Sequence, residues 1–313
     1  MGRIILYNDL LVGSTGFVGG NLLASHRFAA VCHSSDIAAQ YGTHPDLCVY
    51  AGVPAAMFLA NADPAADLAV MRAARENLQK IGPRAVVLVS TIAVYADSRG
   101  KDETDEPDEA GLSAYGRNRL QLERWVRQDF PDALIVRLPA LYGKGLKKNF
   151  LYDLRTITPA MLKAEKYAEL AQRSPLVRDG YTLAENGFYK QNGAVDAAAL
   201  RAFFAGNDFN ALSFTDSRSR YQFYDLGRLW QDIAAARDAG LRLLHLCTPP
   251  VTAAQVYTAV TGKTGWCNAL PGTPYDYDLH SRHAALLGGQ GPYLCTVQQE
   301  LDAVRRFVCE GEG

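Results

Sequence analysis

Short apolar runs, each about the length of a strand, recur along the first half of the chain. They lie at residues 3–8 and 10–13, which together supply a first strand, and at 28–32, 46–52, 85–90 and 133–139. The run at 85–90 is apolar in every position before its terminal serine, which is typical of a strand buried on both faces of a parallel sheet. The pattern therefore predicts a parallel sheet.

Stretches with helical spacing separate these runs. Between residues 63 and 80, apolar side chains recur every three or four positions from Leu68 to Leu78. That spacing predicts a helix covering one face of a sheet, and residues 21–26 and 113–128 are predicted helices as well. Strands that alternate with helices favour right-handed β-α-β units, so the first half is predicted to be an α/β fold with a doubly wound parallel sheet.

The alternation stops between residues 149 and 216. A helix opened by Pro159 and running to about residue 171, and a second helix at 194–204, are predicted there. Afterwards the signals predict strands at 221–226 and 241–247, helices at 226–239 and 297–308, and a helix capped by Thr252. The chain is thus divided into a sheet domain of residues 1–148 plus 219–246 and a smaller, mostly helical part of residues 149–218 plus 247–313.

The charge balance excludes several classes of partner. The 313 residues include 32 lysines and arginines against 33 aspartates and glutamates, a formal net charge of −1. A field of that size does not hold nucleic acid or an acidic membrane, and no apolar run reaches the roughly 18 residues that cross a bilayer. We expect no nucleic-acid partner, no membrane partner and a cytoplasmic location. His280 and His283 have no carboxylate pattern beside them, so no metal site is predicted.

Three glycines follow the first predicted strand with the spacing G-x-x-G-x-x-G. Gly13 allows a sharp strand-to-helix turn, Gly16 lets a pyrophosphate approach bare backbone, and Gly19 lets the helix pack tightly on the sheet. The amide groups and the positive end of the helix favour an anion. The motif predicts a dinucleotide site, although a glycine-rich turn after any strand looks similar.

A hydroxyl, a phenol and a permanent cation follow the buried run at 85–90. Thr91 lies at the exit of that predicted strand, where active sites of open α/β sheets are found. Tyr115 and Arg119 lie four residues apart on a predicted helix and hence on the same face. A cation beside a phenol lowers the pKa of the phenol, which suits a residue that exchanges protons with a hydroxyl or ketone oxygen.

These motifs together resemble those of the extended short-chain dehydrogenases/reductases, the NAD(P)-dependent epimerase, dehydratase and reductase group. The resemblance covers nearly the whole chain. It rests on the glycine turn at 13–19, Tyr-Ala-Gly at 50–52, Ser-Thr-Ile-Ala-Val-Tyr at 90–95, Tyr115 with its helix, and Val-Arg-Leu-Pro-Ala-Leu-Tyr-Gly at 136–143. It implies that the sheet domain is a Rossmann-type dinucleotide-binding domain and that the smaller part binds substrate.

The resemblance also implies roles for individual residues. Tyr115 would transfer the proton, Thr91 would contact the same substrate oxygen, and Arg119 would hold the nicotinamide ribose. The residues implied to contact the cofactor are Gly13, Ser14, Thr15, Gly16, Phe17, Val18, Gly19, Ala51, Gly52, Leu138 and Pro139. Those that stand where relatives bind the nucleotide diphosphate of the substrate are Lys148, Asn149 and Arg218.

Two departures from the family pattern shape the predicted function. Arg119 occupies the position where the family usually has lysine, and arginine keeps the charge but is planar and bulkier. Ile92 and Ala93 follow Thr91 where sugar 4,6-dehydratases of the family have acidic residues, which disfavours dehydration. The predicted function is reduction or epimerisation of a sugar, most simply a nucleotide-linked one. A non-catalytic NAD(P)-binding sensor or partner subunit, and a reductase of a small free carbonyl compound, are the alternatives.

The residues after the second predicted strand bear on the choice of cofactor. An acidic residue at that strand end selects NAD by binding the ribose hydroxyls, whereas here His33, Ser34 and Ser35 precede Asp36. The hydroxyls and the histidine favour a 2′-phosphate and hence NADP, and an inward-turned Asp36 would favour NAD instead. The resemblance further implies a homodimer formed through the helices at 63–80 and 113–128.

Overall fold

The computed structural model describes residues 8–311, and its strands and helices follow one another in the predicted alternation over the first half. The strands are β1 Asp9–Val12, β2 Ala30–Cys32, β3 Leu47–Tyr50, β4 Val86–Thr91, β5 Leu134–Leu138, β6 Ala140–Tyr142, β7 Met161–Leu162, β8 Tyr181–Leu183, β9 Tyr189–Gln191, β10 Arg220–Tyr221, β11 Phe223–Asp225, β12 Leu243–His245 and β13 Val251–Thr252. The helices are α1 Phe17–Ser25, α2 Met57–Ala62, α3 Pro64–Ile81, α4 Ala114–Asp129, α5 Phe150–Thr156, α6 Ala164–Arg173, α7 Pro175–Gly180, α8 Ala197–Ala205, α9 Leu229–Asp238, α10 Ala253–Thr261 and α11 Val297–Glu310. The part of the predicted first strand at residues 3–7 lies outside the described residues.

The main sheet has six parallel strands in the order β12-β5-β4-β3-β1-β2. The chain leaves β1 toward β2 on one side and returns to β3 on the other. This reversal makes a topological switch point at the carboxyl ends of β1 and β3, where open α/β sheets bind their ligands. The predicted doubly wound parallel sheet of an α/β fold is confirmed.

Successive residues of β1 belong to two different cores, because side chains of a strand point alternately to opposite faces. Leu11 packs in one core with Leu22 of α1 and Ile233 of α9. Leu10 packs in the other with Met71 of α3. Helices therefore cover both faces of the sheet.

The ends of two helices flanking the sheet are fixed by local sequence. Asp63 caps α3 by accepting a hydrogen bond from the Ala66 backbone N–H at 3.0 Å. Ser113 caps α4 by accepting one from the Gly116 N–H at 3.2 Å. These caps set the first turns of α3 and α4, which carry Asp67 and Tyr115 respectively.

The second half departs from its predicted elements at Pro159 and at the strand predicted over 221–226. Pro159 does not open a helix, because the chain first forms β7, which joins β8 and β9 in a three-stranded antiparallel sheet, and α6 begins only at Ala164. The second predicted helix of this stretch is found as α8, with α7 before it. The strand predicted at 221–226 is divided in two, because β10 pairs with β13 whereas β11 pairs with β6.

The three helices predicted at 226–239, after Thr252 and at 297–308 are present as α9, α10 and α11. Thr252 and Gln255 form a reciprocal capping box at the start of α10, and Thr296 and Gln299 form another at the start of α11. Among residues 8–311, no helix is long and apolar enough to cross a membrane. Within the same span no group of three or more potential metal ligands is found.

Candidate active site

The turn between β1 and α1 is packed so closely that only glycine fits at two of its positions. Gly13 has a φ of +93°, and a Cβ added there would lie 2.6 Å from the carbonyl carbon of Ala51. A Cβ on Gly19 would lie 2.1 Å from the Gly13 carbonyl oxygen. The turn therefore rests directly on the exit of β3 and presents bare backbone.

The amino end of α1 opens from this turn without a side-chain cap. Gly16 is the N-cap residue, and as a glycine it has no side chain to accept a hydrogen bond from the first turn. Ser14 is turned away, since its hydroxyl donates to the Cys32 carbonyl at 3.2 Å. Thr15 is exposed, and Phe17 and Val18 are half-buried. Backbone donors at a positive helix end, beside glycines that leave room, fit the pyrophosphate of a dinucleotide.

The loop after β2 lies next to the glycine turn, because the Cys32 carbonyl also accepts the Gly13 N–H at 2.8 Å. Asp36 accepts the His33 backbone N–H at 2.7 Å, so its carboxylate is folded onto its own loop. The His33 ring nitrogen Nδ1 lies 2.8 Å from the Ser35 hydroxyl. Ser34, Ser35 and Asp36 are all exposed, so two hydroxyls, a carboxylate and the His33 imidazole lie at this strand end.

Thr91 and Tyr115 are brought together by a glycine that sequence analysis did not single out. A Cβ on Gly116 would lie 2.1 Å from the Ala93 carbonyl oxygen, so α4 lies directly against the turn that follows β4. Burial raises the pKa of the Tyr115 phenol, and the Arg119 charge and a hydrogen bond with the Thr91 side chain counter that rise. A desolvated phenol beside a hydroxyl and a cation is suited to proton transfer.

Arg119 lies flat on the phenol rather than out in solvent. Its guanidinium carbon lies 3.8 Å from the centre of the Tyr115 ring, and the residue is 5% exposed. It forms an ion pair with Asp67 of α3 and donates to the Pro54 carbonyl at 2.7 Å. The cation that the sequence predicts is therefore in place, held by an acidic partner that the sequence did not reveal.

The loop between β3 and α2 contacts β1 on one side and Lys148 on the other. Ala51 donates its N–H to the Val12 carbonyl at 2.9 Å, which ties the loop to β1. A Cβ on Gly52 would approach the Val12 side chain to 3.1 Å. From the other side the exposed Lys148 donates to the Ala55 carbonyl at 3.1 Å. The backbone of the loop is thus fixed next to the glycine turn.

The exit of β5 reaches the same edge of the sheet. Leu138, its last residue, is paired with Thr91 in register and is buried, and Pro139 follows it half-buried. The structure thus brings the glycine turn and the exits of β3, β4 and β5 to one edge. Their predicted contacts with cofactor remain a prediction.

A cleft of about 760 Å³ begins beside the Tyr115 helix and extends into the second half of the chain. Ala93 and Ser113, the neighbours of Thr91 and Tyr115, line one end. Arg218 also lines it, held by Asp216 through hydrogen bonds of 2.9 and 2.7 Å. The cleft has the size of a small-molecule site.

The other predicted substrate residues lie outside the lining of this cleft. Asn149 caps α5, accepting from the Leu151 and Tyr152 backbone N–H groups and donating to the Leu141 carbonyl. Lys148 reaches the loop after β3 as described. Their contact with substrate therefore stays a prediction, with the Asn149 side chain already engaged in capping.

Several lining residues were missed by sequence reasoning. Arg220 lies two positions after Arg218 and forms an ion pair with Asp276. Tyr275 and Tyr277 stack with ring centres 5.8 Å apart, and Tyr275 is 62% exposed. The repeated Arg-x-Arg and Tyr-x-Tyr spacing was the available signal, because alternate residues of an extended segment point to one side.

A buried polar network supports β4 from behind. Arg137 of β5 donates to Glu123 of α4, with the shortest contact at 2.6 Å, and to the Tyr95 hydroxyl at 2.7 Å. Ser90, the neighbour of Thr91, donates to the same Glu123 at 2.5 Å. Burial lowers the pKa of His245, whose Nε2 lies 3.3 Å from an Arg137 nitrogen. The end of β4 that contains Thr91 is therefore anchored by the hydrogen bond from Ser90 to Glu123.

Solved structures with this architecture include several nucleotide-sugar enzymes. The dTDP-4-dehydrorhamnose reductase of Yersinia enterocolitica has a TM-score of 0.63 and 14% identity, covering 96% of this chain and 98% of that chain. The reductase of the same name from Bacillus anthracis, in complex with NADP, has a TM-score of 0.63 and 13% identity over 99% and 100%. A UDP-galactose 4-epimerase has a TM-score of 0.60 and 15% identity over 96% and 97%. At these identities the similarity shows the fold.

The sequence itself was compared with curated proteins and with family models. No curated protein matches it. The family model described as RmlD substrate binding domain matches residues 10–166, which is half of the chain. That span contains the glycine turn, Thr91, Tyr115 and Arg119, and the resemblance to extended short-chain dehydrogenases/reductases is confirmed. The chain belongs to the RmlD substrate-binding domain family.

Proposed function

We propose that this protein is an NAD(P)-dependent reductase of a keto group on a nucleotide-linked sugar. The observation that carries the proposal is the buried Tyr115 phenol, flanked by Thr91 and Arg119, at the same sheet edge as the glycine turn. Two structural neighbours are dTDP-4-dehydrorhamnose reductases. Epimerisation uses the same groups and is the second reaction supported, since another neighbour is a UDP-galactose 4-epimerase.

The cofactor would be held mainly by backbone. The turn at Gly13 and Gly19 and the amino end of α1 leave room and donors for a pyrophosphate. Ala51, Gly52, Leu138 and Pro139 would flank the nicotinamide end. When bound, a reduced nicotinamide cofactor would supply the hydride that the carbonyl carbon accepts.

Tyr115 would supply the proton in that reaction. Its hydroxyl is proposed to donate to the carbonyl oxygen while Thr91 hydrogen-bonds the same oxygen, and water restores the phenol afterwards. The Tyr115 residue is 7% exposed, and the Arg119 guanidinium over the ring stabilises the phenolate that is left behind. Arg119 is here proposed to replace the lysine of the family in this electrostatic role.

NADP is the cofactor that the loop after β2 supports better. The Asp36 carboxylate, 51% exposed, is engaged within its own loop, because it accepts the His33 N–H and lies 3.5 Å from the His33 ring nitrogen Nε2. Ser34 and Ser35 are exposed, and the His33 ring lies beside the Ser35 hydroxyl. A neighbour of the same fold is in complex with NADP. NAD stays the alternative if the Asp36 carboxylate turns inward, toward the bound cofactor.

The substrate would occupy the cleft that begins at Ala93 and Ser113. Arg218 and Arg220 would bind the diphosphate of a nucleotide-linked sugar, because guanidinium groups pair with phosphate oxygens in a bidentate manner. Lys148 and Asn149 would contribute from the loop before α5. The division into a cofactor domain of 1–148 plus 219–246 and a substrate part of 149–218 plus 247–313, a homodimer through α3 and α4, and a cytoplasmic location also remain proposals.

The decisive experiment replaces Tyr115 with phenylalanine. Loss of the hydroxyl removes the proton donor and should lower kcat for nucleotide keto-sugar reduction by about 10²–10⁴-fold. The Kd for NADPH, measured by fluorescence titration, should stay unchanged because the ring and Arg119 remain. Tyr41→Phe serves as the control, since the Tyr41 hydroxyl bonds Asn77 elsewhere on the surface. Full turnover by Tyr115→Phe would overturn the proposal.

A non-catalytic cofactor-binding protein is the second candidate. The observation in its favour is that Arg119 already bonds Asp67 and the Pro54 carbonyl, which engages both of its terminal nitrogens. Tight NADPH binding with no oxidation of the cofactor by any nucleotide keto-sugar would support this candidate. Oxidation of NADPH by small free ketones alone would instead support the other alternative, a reductase of a small free carbonyl compound.

A further inference from the structure

Arg119 is held by an acidic side chain and by a backbone carbonyl, in a way that a lone surface cation is not. Its NH1 nitrogen forms the ion pair with Asp67, and its NH2 nitrogen donates to the Pro54 carbonyl at 2.7 Å. The side chains of Arg119 and Asp67 are only 5% and 10% exposed. Asn118 donates to the same Asp67 oxygen at 2.8 Å, which fixes the carboxylate in turn.

The charged groups that face Tyr115 come from two helices and have opposite signs. Arg119 of α4 lies over the ring and favours phenolate, and Asp67 of α3 lies behind Arg119 and opposes phenolate. The groups contributed by the other neighbouring elements are neutral: the Thr91 hydroxyl from β4, and Asn61, whose amide oxygen accepts the Tyr115 backbone N–H at 3.0 Å. The balance at the phenol is therefore set by one buried ion pair.

We propose that Asp67 is a positioning residue that holds Arg119 on the Tyr115 ring and offsets its charge, so that the phenol stays protonated and the site favours ketone reduction. The inference rests on the proposed function of Tyr115 as the proton donor. It goes further because it assigns a task to Asp67 and a preferred direction to the reaction.

The direction follows from the proton balance. In reduction a hydride adds to the carbonyl carbon, the C=O π electrons take the Tyr115 proton, and an alcohol and a phenolate result. In oxidation the phenolate must be present at the start to accept the hydroxyl proton. An arginine without an acidic partner stabilises phenolate and favours oxidation, whereas a neutralised arginine keeps the proton in place for reduction.

The test is Asp67→Asn, which removes the charge and keeps an oxygen for Arg119 and Asn118. The alkaline limb of the pH profile of kcat/KM for reduction should move to lower pH by about one unit. Asp63→Asn is the matched control at the start of the same helix, where asparagine also caps well, and it should leave the profile unmoved. Asp67→Ala should lower kcat about tenfold through loss of orientation, and Asp67→Asn should restore most of it.

An alkaline limb that is unmoved or shifted to higher pH in Asp67→Asn would overturn the inference. A second measurement does not depend on turnover. The phenolate absorbance of Tyr115 is obtained as the difference between parent and Tyr115→Phe proteins during a pH titration, with and without Asp67→Asn. A lower midpoint with Asp67→Asn supports the inference even if no substrate is turned over, and an equal midpoint overturns it. Failure of the proposed function alone would show as a titrating Tyr115 without any keto-sugar reduction.

Discussion

The glycine turn at the sheet edge and the cleft that begins at Ala93 and Ser113 are built by opposite means. At the glycine turn the groups that would meet a ligand are backbone amides, and the fit depends on a missing Cβ at Gly13 and Gly19. In the cleft the ligand would meet side chains, and these are already paired with one another, Arg218 with Asp216 and Arg220 with Asp276. The first surface is fixed by the path of the chain, and the second by a balance of charges.

Binding at the glycine turn and binding in the cleft should therefore depend on different features of the chain. A backbone surface accepts any pyrophosphate of the right shape. Its binding is lost only when a substitution in the turn moves the backbone. A surface of paired arginines and aspartates must exchange internal partners for the ligand, so its affinity depends on how strongly each pair is held. Substitutions at the two surfaces should consequently differ in size and in which binding constant they change.

The largest effect is expected from Gly19→Ala. The new Cβ would lie 2.1 Å from the Gly13 carbonyl oxygen, so the turn must shift away from the position that a pyrophosphate requires. We expect the Kd for NADPH to rise by about 100-fold, which corresponds to roughly 3 kcal/mol of strain or lost contact. Isothermal titration calorimetry measures it.

Gly20→Ala is the matched control for that change. It is adjacent in α1, and a Cβ there meets nothing within 4 Å, so helix propensity should leave the protein equal or slightly more stable. Equal loss of NADPH binding in both variants would break the comparison, because the effect would then come from the helix and not from the turn.

A smaller effect is expected from Arg218→Ala. Loss of one charged contact to a diphosphate should raise KM for the nucleotide keto-sugar about tenfold and leave kcat and the Kd for NADPH nearly unchanged. Steady-state kinetics at saturating NADPH measures it. Arg242→Ala is the control, because Arg242 pairs with Asp132 on the exposed surface. A change in NADPH affinity that matches the change in KM would show that the two surfaces are not separate.

The last effect concerns the stability of the second half of the chain. Glu300 of α11 accepts the Phe223 N–H of β11 at 3.1 Å, and burial raises the pKa of its carboxyl from 4.5 to about 8. A raised pKa in the folded state means that this carboxyl favours folding below about pH 4.5 and that the contribution is lost as pH rises toward 8. The amide of the Glu300→Gln variant does not ionise, so this pH-dependent contribution to stability is absent from the variant.

The melting temperature of the parent protein should therefore fall, relative to Glu300→Gln, by about 5 °C between pH 5 and pH 8. Differential scanning calorimetry at a series of pH values checks it. Parallel curves for the two proteins would show that Glu300 is solvated or ionised in the fold.

Much of the cofactor half could be predicted from sequence because its signals are local. The glycine spacing fixes the turn, the continuous apolar run fixes β4, and Asp63 and Ser113 cap the helices that follow them. Tyr115 and Arg119 share a helix, so their proximity is a matter of helical repeat alone.

The remaining features depend on partners far away in the chain. The sequence around Pro159 predicts a helix start, but the chain after it forms β7, which pairs with β9 at Tyr189. The role of Asp67 depends on its ion pair with Arg119, which lies 52 positions later in the chain. The cleft likewise joins Ala93 to Tyr275. No window of sequence contains both members of such pairs, so propensity and periodicity cannot reveal them.

The buried pair of Arg137 and Glu123 has a consequence for how this sequence can drift over generations. Both side chains are 1% exposed, and removal of either one leaves an uncompensated charge in the interior at a cost of about 3–5 kcal/mol. Single replacements at these positions would consume much of the stability of a marginally stable fold. Descendants of this chain should therefore keep the two residues or exchange both, so they behave as a single heritable unit.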